Sequence, residues 1–183
     1  MTEQIYRWRG LDPPSLEVLR LQQTAGGISA HSTLSVTVDP SYAVSYEWQL
    51  DQTWCTDWLR IRLEGEEERS LLIERTGDAT WLVDGVARPD LDGCEEVDLS
   101  VTPFCNTLAL KRLAGQGELT TLYVSFPELT LQPSRQRYER LSARSYVYTD
   151  LGASEGFEAK LDVDANGIVT HYEGLFEHLP EAL

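Results

Sequence analysis

Asp162-Val163-Asp164-Ala165-Asn166-Gly167, followed by Glu173, puts side-chain oxygens at the first, third, fifth and twelfth positions of a loop with glycine at the sixth. That is the spacing with which an EF-hand encircles calcium. An EF-hand also needs a helix on each side. Here the preceding residues, Phe157, Ala159, Leu161 and Val163, alternate with Glu158, Lys160 and Asp162, which is the period of a strand. A hairpin fits better: a strand through Leu161 to Val163, a turn at Asp164 to Gly167, and a return along Ile168 to Tyr172. His31, His171 and His178 have neither H-x-x-x-H nor Cys/His spacing, so no metal site is expected.

A second group of candidate residues is the acidic run Asp84, Asp90, Asp92, Glu95, Glu96 and Asp98. Carboxylates accept hydrogen bonds from sugar hydroxyls, and two of them across a cleft can serve as acid and base in glycan hydrolysis. Glu95 and Glu96 are adjacent, so on a strand at most one of them faces a pocket. The plain alternative is a set of solvated turn residues, with Asp98 near a helix N-terminus where negative charge is favourable. Five tryptophans and eight tyrosines offer rings for stacking on sugars or acyl chains. Tyr46 and Trp48 read as core-face residues, whereas Trp54, Trp58 and Trp81 sit near strand ends, better placed for a pocket. The chain has no G-x-S-x-G element, no evident Cys–His pair and no phosphate-binding glycine loop. No catalytic residue and no cofactor is assigned.

The elements that must position these groups are mostly strands. Tyr42, Val44, Tyr46 and Trp48 alternate along one face, as do Leu59, Ile61 and Leu63, and Leu122, Val124 and Phe126. Breaks at Gly26-Gly27, Gly65 to Glu68, Gly77-Asp78, Gly115 to Gly117 and Asp164 to Gly167 separate such runs. Glu66 to Glu68 is expected in an exposed hairpin turn. One helix is expected over Pro103 to Leu113. Thr102 is a candidate N-cap, Pro103 suits the first turn, Lys111 and Arg112 suit the last, and Gly115 can stop it. Phe104, Cys105, Leu108, Ala109, Leu110 and Leu113 leave it little polar face, so it should be buried. The expected fold is mainly β (α+β): about a dozen or more strands in a large, mostly antiparallel sheet, without βαβ alternation, curled around one central helix.

The chain has 183 residues and reads as a single domain over 1–183. Lys plus Arg number 15 and Asp plus Glu 30, a formal charge of −15. Such a surface repels nucleic-acid phosphates and anionic headgroups, so nucleic acid is not an expected partner. Cys55, Cys94 and Cys105 form no C-x-x-C pair and, being odd in number, do not suggest a disulfide framework. Met1 to Gln4 has no basic start followed by an apolar run, and every apolar run is too short to span a bilayer. A cytoplasmic location without a transmembrane segment is the expectation.

Pro89 to Leu99, then Thr102 to Leu108, then Lys111-Arg112-Leu113, resembles the signature of a bacterial family long catalogued as a domain of unknown function and labelled putative glycolipid-binding. Asp51 and Trp54, Trp81 with Asp84-Gly85, Pro127, Gln136-Arg137-Tyr138, and the stretch from Asp164 to Gly167 with Tyr172, Gly174, Leu175 and Phe176 resemble further family elements. The resemblance covers most of the chain and is weakest over the first forty residues. Cys105 stands where the family usually has Thr, Ala109 where it has Pro, and Glu173 where Pro is common.

The resemblance implies a many-stranded sheet around one helix, a tight homodimer, distant likeness to lipoprotein-carrier folds, and an acidic pocket for a glycan or glycolipid headgroup. The candidate ligand-binding residues are Asp84, Asp92, Glu96, Asp98, Arg112, Arg137, Tyr138, Trp54 and Trp81. Asp92 and Asp98 would accept hydroxyl hydrogen bonds. Arg112 or Arg137 would hold a carboxylate or phosphate, or pair with the acids. Trp81 and Tyr138 would stack on the ligand. A glycan- or glycolipid-binding protein is the leading expectation. A structural or interaction module, whose acids only steady the helix, comes next, and a carboxylate-dependent glycan-processing enzyme last.

Overall fold

In the computed structural model, which describes residues 2–180, the chain builds one 15-stranded sheet around one α-helix. The first half contributes β1 (Thr2–Leu11), β2 (Pro14–Thr24), β3 (Gly27–Val36), β4 (Tyr42–Leu50), β5 (Thr56–Glu64), β6 (Glu68–Gly77), β7 (Thr80–Val83) and β8 (Val86–Ala87). A 3-10 turn at Pro89–Leu91 leads into β9 (Glu96–Leu99) and α1 (Phe104–Arg112). Then come β10 (Gly117–Ser125), β11 (Thr130–Arg140), β12 (Ser145–Asp150), β13 (Glu158–Val163), β14 (Val169–Tyr172) and β15 (Phe176–His178).

The sheet runs from β8 back to β1, crosses to β15, and runs back to β9. Strands β8 and β9 are therefore neighbours in sequence and opposite edges of the sheet. A short connection can join them only if the sheet curls until its edges meet. Contacts across the seam show this. Gly93 donates its N–H to the Ala79 carbonyl at 2.8 Å, Trp81 Nε1 donates to the Cys94 carbonyl at 2.9 Å, and Arg69 Nη1 donates to the Glu128 carbonyl at 3.0 Å.

The alternating runs are strands, with the expected faces inward: Tyr42, Val44, Tyr46 and Trp48 in β4, and Leu59, Ile61 and Leu63 in β5, are buried. Gly65 to Glu67 is the exposed turn between β5 and β6, while Glu68 opens β6. The sheet is mostly antiparallel, as expected, with one parallel pair. Strands β9 and β10 pair in parallel, and α1 is the crossover between them. A parallel pair needs a long connection, and a buried helix inside the curl supplies it.

Phe104 to Leu110 of α1 are buried, as an almost wholly apolar helix requires. The helix starts one residue later than expected, with Pro103 rather than Thr102 at the cap. Thr102 still serves the same end, since its Oγ1 accepts the Phe104 N–H at 3.2 Å. Thr107 Oγ1 accepts the Val169 N–H at 3.0 Å, and Lys111 Nζ donates to the Asn166 carbonyl at 2.6 Å, fixing the helix to β14 and the preceding turn.

The segment with calcium-loop spacing is a β13–β14 hairpin. Asp164 Oδ1 accepts the N–H groups of Asn166 and Ile168 at 2.8 and 2.9 Å. Asp162 meets Ser145 and Lys160, and Glu173 Oε2 accepts the Lys160 N–H at 3.0 Å. These oxygens are engaged separately within the sheet. No helix is long and apolar enough to cross a membrane among the described residues.

Candidate functional site: an acidic cavity at the helix N-terminus

A cavity of about 250 Å³ opens where the end of β9, the first turn of α1 and the inner faces of β10, β12 and β14 meet. Its polar wall holds Asp98, Asp150, Thr102 and Asn106, and its apolar wall holds Tyr123, Tyr148, Phe157, Tyr172 and Phe176. The rings touch one another. Tyr148 and Tyr172 have centroids 5.7 Å apart, Tyr148 and Phe157 6.3 Å, and Phe157 and Tyr172 6.3 Å. Phe157, on the apolar phase of the β13 alternation, precedes the strand and is 37% exposed, so it borders solvent rather than joining the core.

The ladders explain why these side chains converge. Tyr123 lies opposite Asp98 in the β9–β10 pair, Gln136 opposite Asp150 in β11–β12, and Tyr138 opposite Tyr148. Directly paired residues share a face, so all six side chains point into the curl. Asp98 is 9% exposed and Asp150 6%. Gln136 Nε2 donates to Asp98 Oδ2. Tyr138 donates to Gln136 Oε1 and receives Asn106 Nδ2, both at 3.0 Å. Tyr148 donates to Asp150 Oδ2 at 3.3 Å, and the Gly152 N–H reaches Asp150 Oδ1 at 2.7 Å. Gly152 is needed there, because a Cβ would sit 2.7 Å from the Arg135 nitrogen.

Burial pushes the Asp98 carboxyl above its ordinary range, and the like charge of Asp150 adds to the rise against hydrogen bonds from Cys105 and Gln136. Burial, then the Asp98 charge, also raises Tyr148 and Tyr172. The tyrosines therefore stay neutral donors. Together the groups offer a sugar-like ligand carboxylate acceptors and aromatic rings in one cavity.

Of the nine candidate residues, Asp98 lines this cavity and Tyr138 stands directly behind its wall, 1% exposed. The others lie elsewhere. Asp84 has a left-handed backbone, φ 50°, in the turn between β7 and β8, where its Oδ1 accepts the Leu72 N–H at 2.8 Å. Asp92 is exposed at the end of the 3-10 turn. Arg137 points outward to Glu118 at 3.2 Å and Glu139 at 3.6 Å. Arg112 donates to Cys55 Sγ at 2.6 Å and lies 3.6 Å from Asp78. Trp54 carries Lys111 Nζ 4.8 Å from its ring centroid. Trp81 is packed in the core, with the Arg75 guanidinium 4.4 Å from its ring.

Glu96 shares a face of β9 with Asp98 but meets a different environment. Its carboxylate accepts from Thr56 Oγ1, from the Thr56 N–H at 3.1 Å and from the Val97 N–H at 3.0 Å, with Arg75 Nη2 at 3.6 Å. The acidic run thus does not converge: Asp90 pairs with Arg88 at 2.7 Å, and Glu96 and Asp98 alone turn inward to separate partners.

Sequence reasoning missed Asp150 and the rings of Tyr123, Tyr148, Phe157, Tyr172 and Phe176. A signal existed for Asp150, which continues the alternation of Tyr146 and Tyr148 on one face and so falls on the core side.

A family model described as Putative glycolipid-binding matches residues 5–178. The crystal structure of a DUF1089 family protein from Pseudomonas aeruginosa is similar at 33% identity and TM-score 0.81, covering 90% of this chain and 92% of that one. A β-barrel-like protein of a domain of unknown function, DUF1849, from Brucella abortus shares the fold at 11% identity and TM-score 0.52, covering 97% and 94%. No curated protein matches the chain.

Proposed function

This chain belongs to the putative glycolipid-binding family, and on that premise we propose that it binds the sugar headgroup of a glycolipid or glycan in the cavity between Asp98 and Asp150. The observation that carries this reading is the pairing of two buried carboxylates with a wall of aromatic rings in one cavity. Sugars present hydroxyls at their edges and C–H faces to rings, and this cavity offers acceptors for the first and ring surface for the second. Its volume, about 250 Å³, lies just under the range of about 300–1,000 Å³ usual for small-molecule pockets. It suits one sugar ring, with lipid chains left outside past Phe157.

In this reading Asp98 and Asp150 contact the ligand, while Gln136, Tyr138 and Asn106 hold Asp98 in place. Glu96 and Trp81 act at a distance by holding the seam. Isothermal titration of short-chain glycolipids tests the proposal. Asp150→Asn and Tyr148→Ala should each weaken binding about tenfold or more, with the fold checked by circular dichroism. Binding that survives both unchanged, or no binding across the panel, overturns it.

We also propose the homodimer that the family resemblance implies. Leu16 and Val18 point outward from β2, 56% and 51% exposed, and offer an apolar patch for a second copy. Light scattering after gel filtration should give twice the chain mass, and a monomer at all concentrations refutes it.

A further inference from the structure

Resting on the reading of this cavity as a sugar site, we propose that it selects a cationic headgroup, one bearing a protonated amine as an amino sugar does, over a neutral or anionic one.

The argument begins from two buried acids without a counter-charge. Neither Asp98 nor Asp150 makes an ion pair with Lys, Arg or His among the described residues, and none of these residue types lines the cavity. Glu96 is the instructive contrast. It is buried on the same face of the same strand, and there the fold supplies Arg75 at 3.6 Å and two backbone N–H groups. At Glu96 the fold supplies a cation to a buried carboxylate, and at Glu17, outside the cavity, it supplies the Ser32 and Tyr46 hydroxyls instead. At the cavity it supplies no cation among the described residues, and Asp98 faces a second carboxylate. Buried charge without a counter-charge is costly, so an arriving cation gains most there and an arriving anion gains nothing.

The rest of the lining chooses among cations. Ring faces carry negative quadrupole potential and attract organic ammonium groups. Tyr148, Phe157 and Tyr172 lie pairwise with ring centroids 5.7–6.3 Å apart and form a continuous aromatic cluster beside the acids. Ring faces give a metal ion no ligand, and no group of three His, Cys, Asp or Glu side chains suited to a metal occurs among the described residues. An ammonium group on a sugar satisfies both walls: its N–H groups meet the carboxylates, and its ring carbons lie on the aromatics.

The test uses the unaltered protein and four probes in isothermal titration: octyl glucoside, its 2-amino-2-deoxy analogue, the N-acetylated form of that analogue, and octylammonium. The amino glycoside should bind about tenfold or more tighter than octyl glucoside, the difference one charge-assisted contact confers. N-acetylation, which removes the charge, should cancel the gain. Asp98→Asn and Asp150→Asn should erase the preference where they fold. Equal or tighter binding of octyl glucoside overturns the cation proposal and leaves the sugar site standing. Octylammonium binding as tightly as the amino glycoside keeps the cation and removes the sugar. No binding of any probe removes both.

Discussion

Gln136 donates its Nε2 to Asp98 while lying directly across the β11–β12 ladder from Asp150. One amide thus stands between the two acids of the cavity. Its orientation is fixed from behind, because Gln136 Oε1 accepts the Tyr138 hydroxyl at 3.0 Å, and that hydroxyl is itself held by Asn106 Nδ2 at 3.0 Å. The chain begins on α1, passes through β11 and ends on β9, so the helix helps to set the position of an acid on a strand that it also contacts directly, through Cys105 and the Leu99 carbonyl.

Tyr138→Phe tests that chain. The substitution keeps the ring and removes the hydroxyl, so that Asn106 Nδ2 and Gln136 Oε1 lose the partner they share in the native chain. A loss of about 1–3 kcal/mol is expected in urea denaturation, the cost of removing a buried hydrogen-bond partner. Glycolipid affinity should fall as well, because Gln136 is then free to rotate away from Asp98. Unchanged stability and affinity would show that Gln136 is held by something else.

Arg75 and Glu96 form the corresponding lock at the seam. Arg75 Nε donates to the Thr56 carbonyl at 2.8 Å and Nη2 to the Glu95 carbonyl at 2.6 Å, while its guanidinium lies over Trp81. Arg75→Met should cost about 3–5 kcal/mol, because Glu96 is left charged and buried without its cation. The double variant Arg75→Met with Glu96→Gln should recover part of that loss. Equal stability of the single and double variants in denaturant titration would refute the coupling.

Glu17 predicts the direction of pH dependence. It is buried on the inner face of β2, where Ser32 and Tyr46 donate to Oε1 at 2.7 and 2.8 Å and Oε2 has no partner among the described residues. Burial pushes its carboxyl up to about 7, against hydrogen bonds from Ser32, Thr102 and Tyr46. Folding therefore favours the protonated form. The stabilisation it brings is complete below the ordinary value of 4.5 and is lost as pH rises through about 7. Raised carboxyls at Asp98 and Glu96 act in the same sense. From about pH 5 to about pH 8 the native chain should lose on the order of 3 kcal/mol through Glu17, and Glu17→Gln should remove that part of the slope. Identical pH profiles for the two proteins would count against it.

The same residues mark what the sequence could convey. Strand β4 was legible because one of its faces is buried and the other wet, so Tyr42 to Trp48 alternate. Helix α1 was legible because it is apolar all round. Strand β9 was not legible as a parallel strand: Glu96 to Leu99 are buried on both faces, so no alternation appears, and its partner β10 lies beyond the helix. Asp98 was legible as one of a run of acids. Alternation with Tyr146 and Tyr148 puts Asp150 on the core side, but nothing in sequence joins it to Tyr123, Tyr172 and Asp98, because the cavity exists only where four strands distant in sequence meet on the inside of the curl. Glu17 reads as a surface acid between Leu16 and Val18, and only the pairing of β2 with its neighbours shows that the two apolar residues face out and the acid faces in.

Asp164 decides between the two meanings of its own motif. In the hairpin its Oδ1 accepts two N–H groups of the turn, and its Oδ2 accepts the Tyr6 hydroxyl of β1 at 2.9 Å. Calcium binding would take these oxygens away from the turn and from β1, and would require Asp162 and Glu173 to leave Ser145 and the Lys160 N–H. The carboxylate therefore works as a turn brace. Asp164→Ala should lower stability by about 1–2 kcal/mol whether or not calcium is present, the cost of unpairing the turn N–H groups. Millimolar calcium should leave the melting temperature of the native chain unmoved. A calcium-dependent rise that Asp164→Ala abolishes would reverse the assignment, because a ligand that binds only the folded chain must raise its stability.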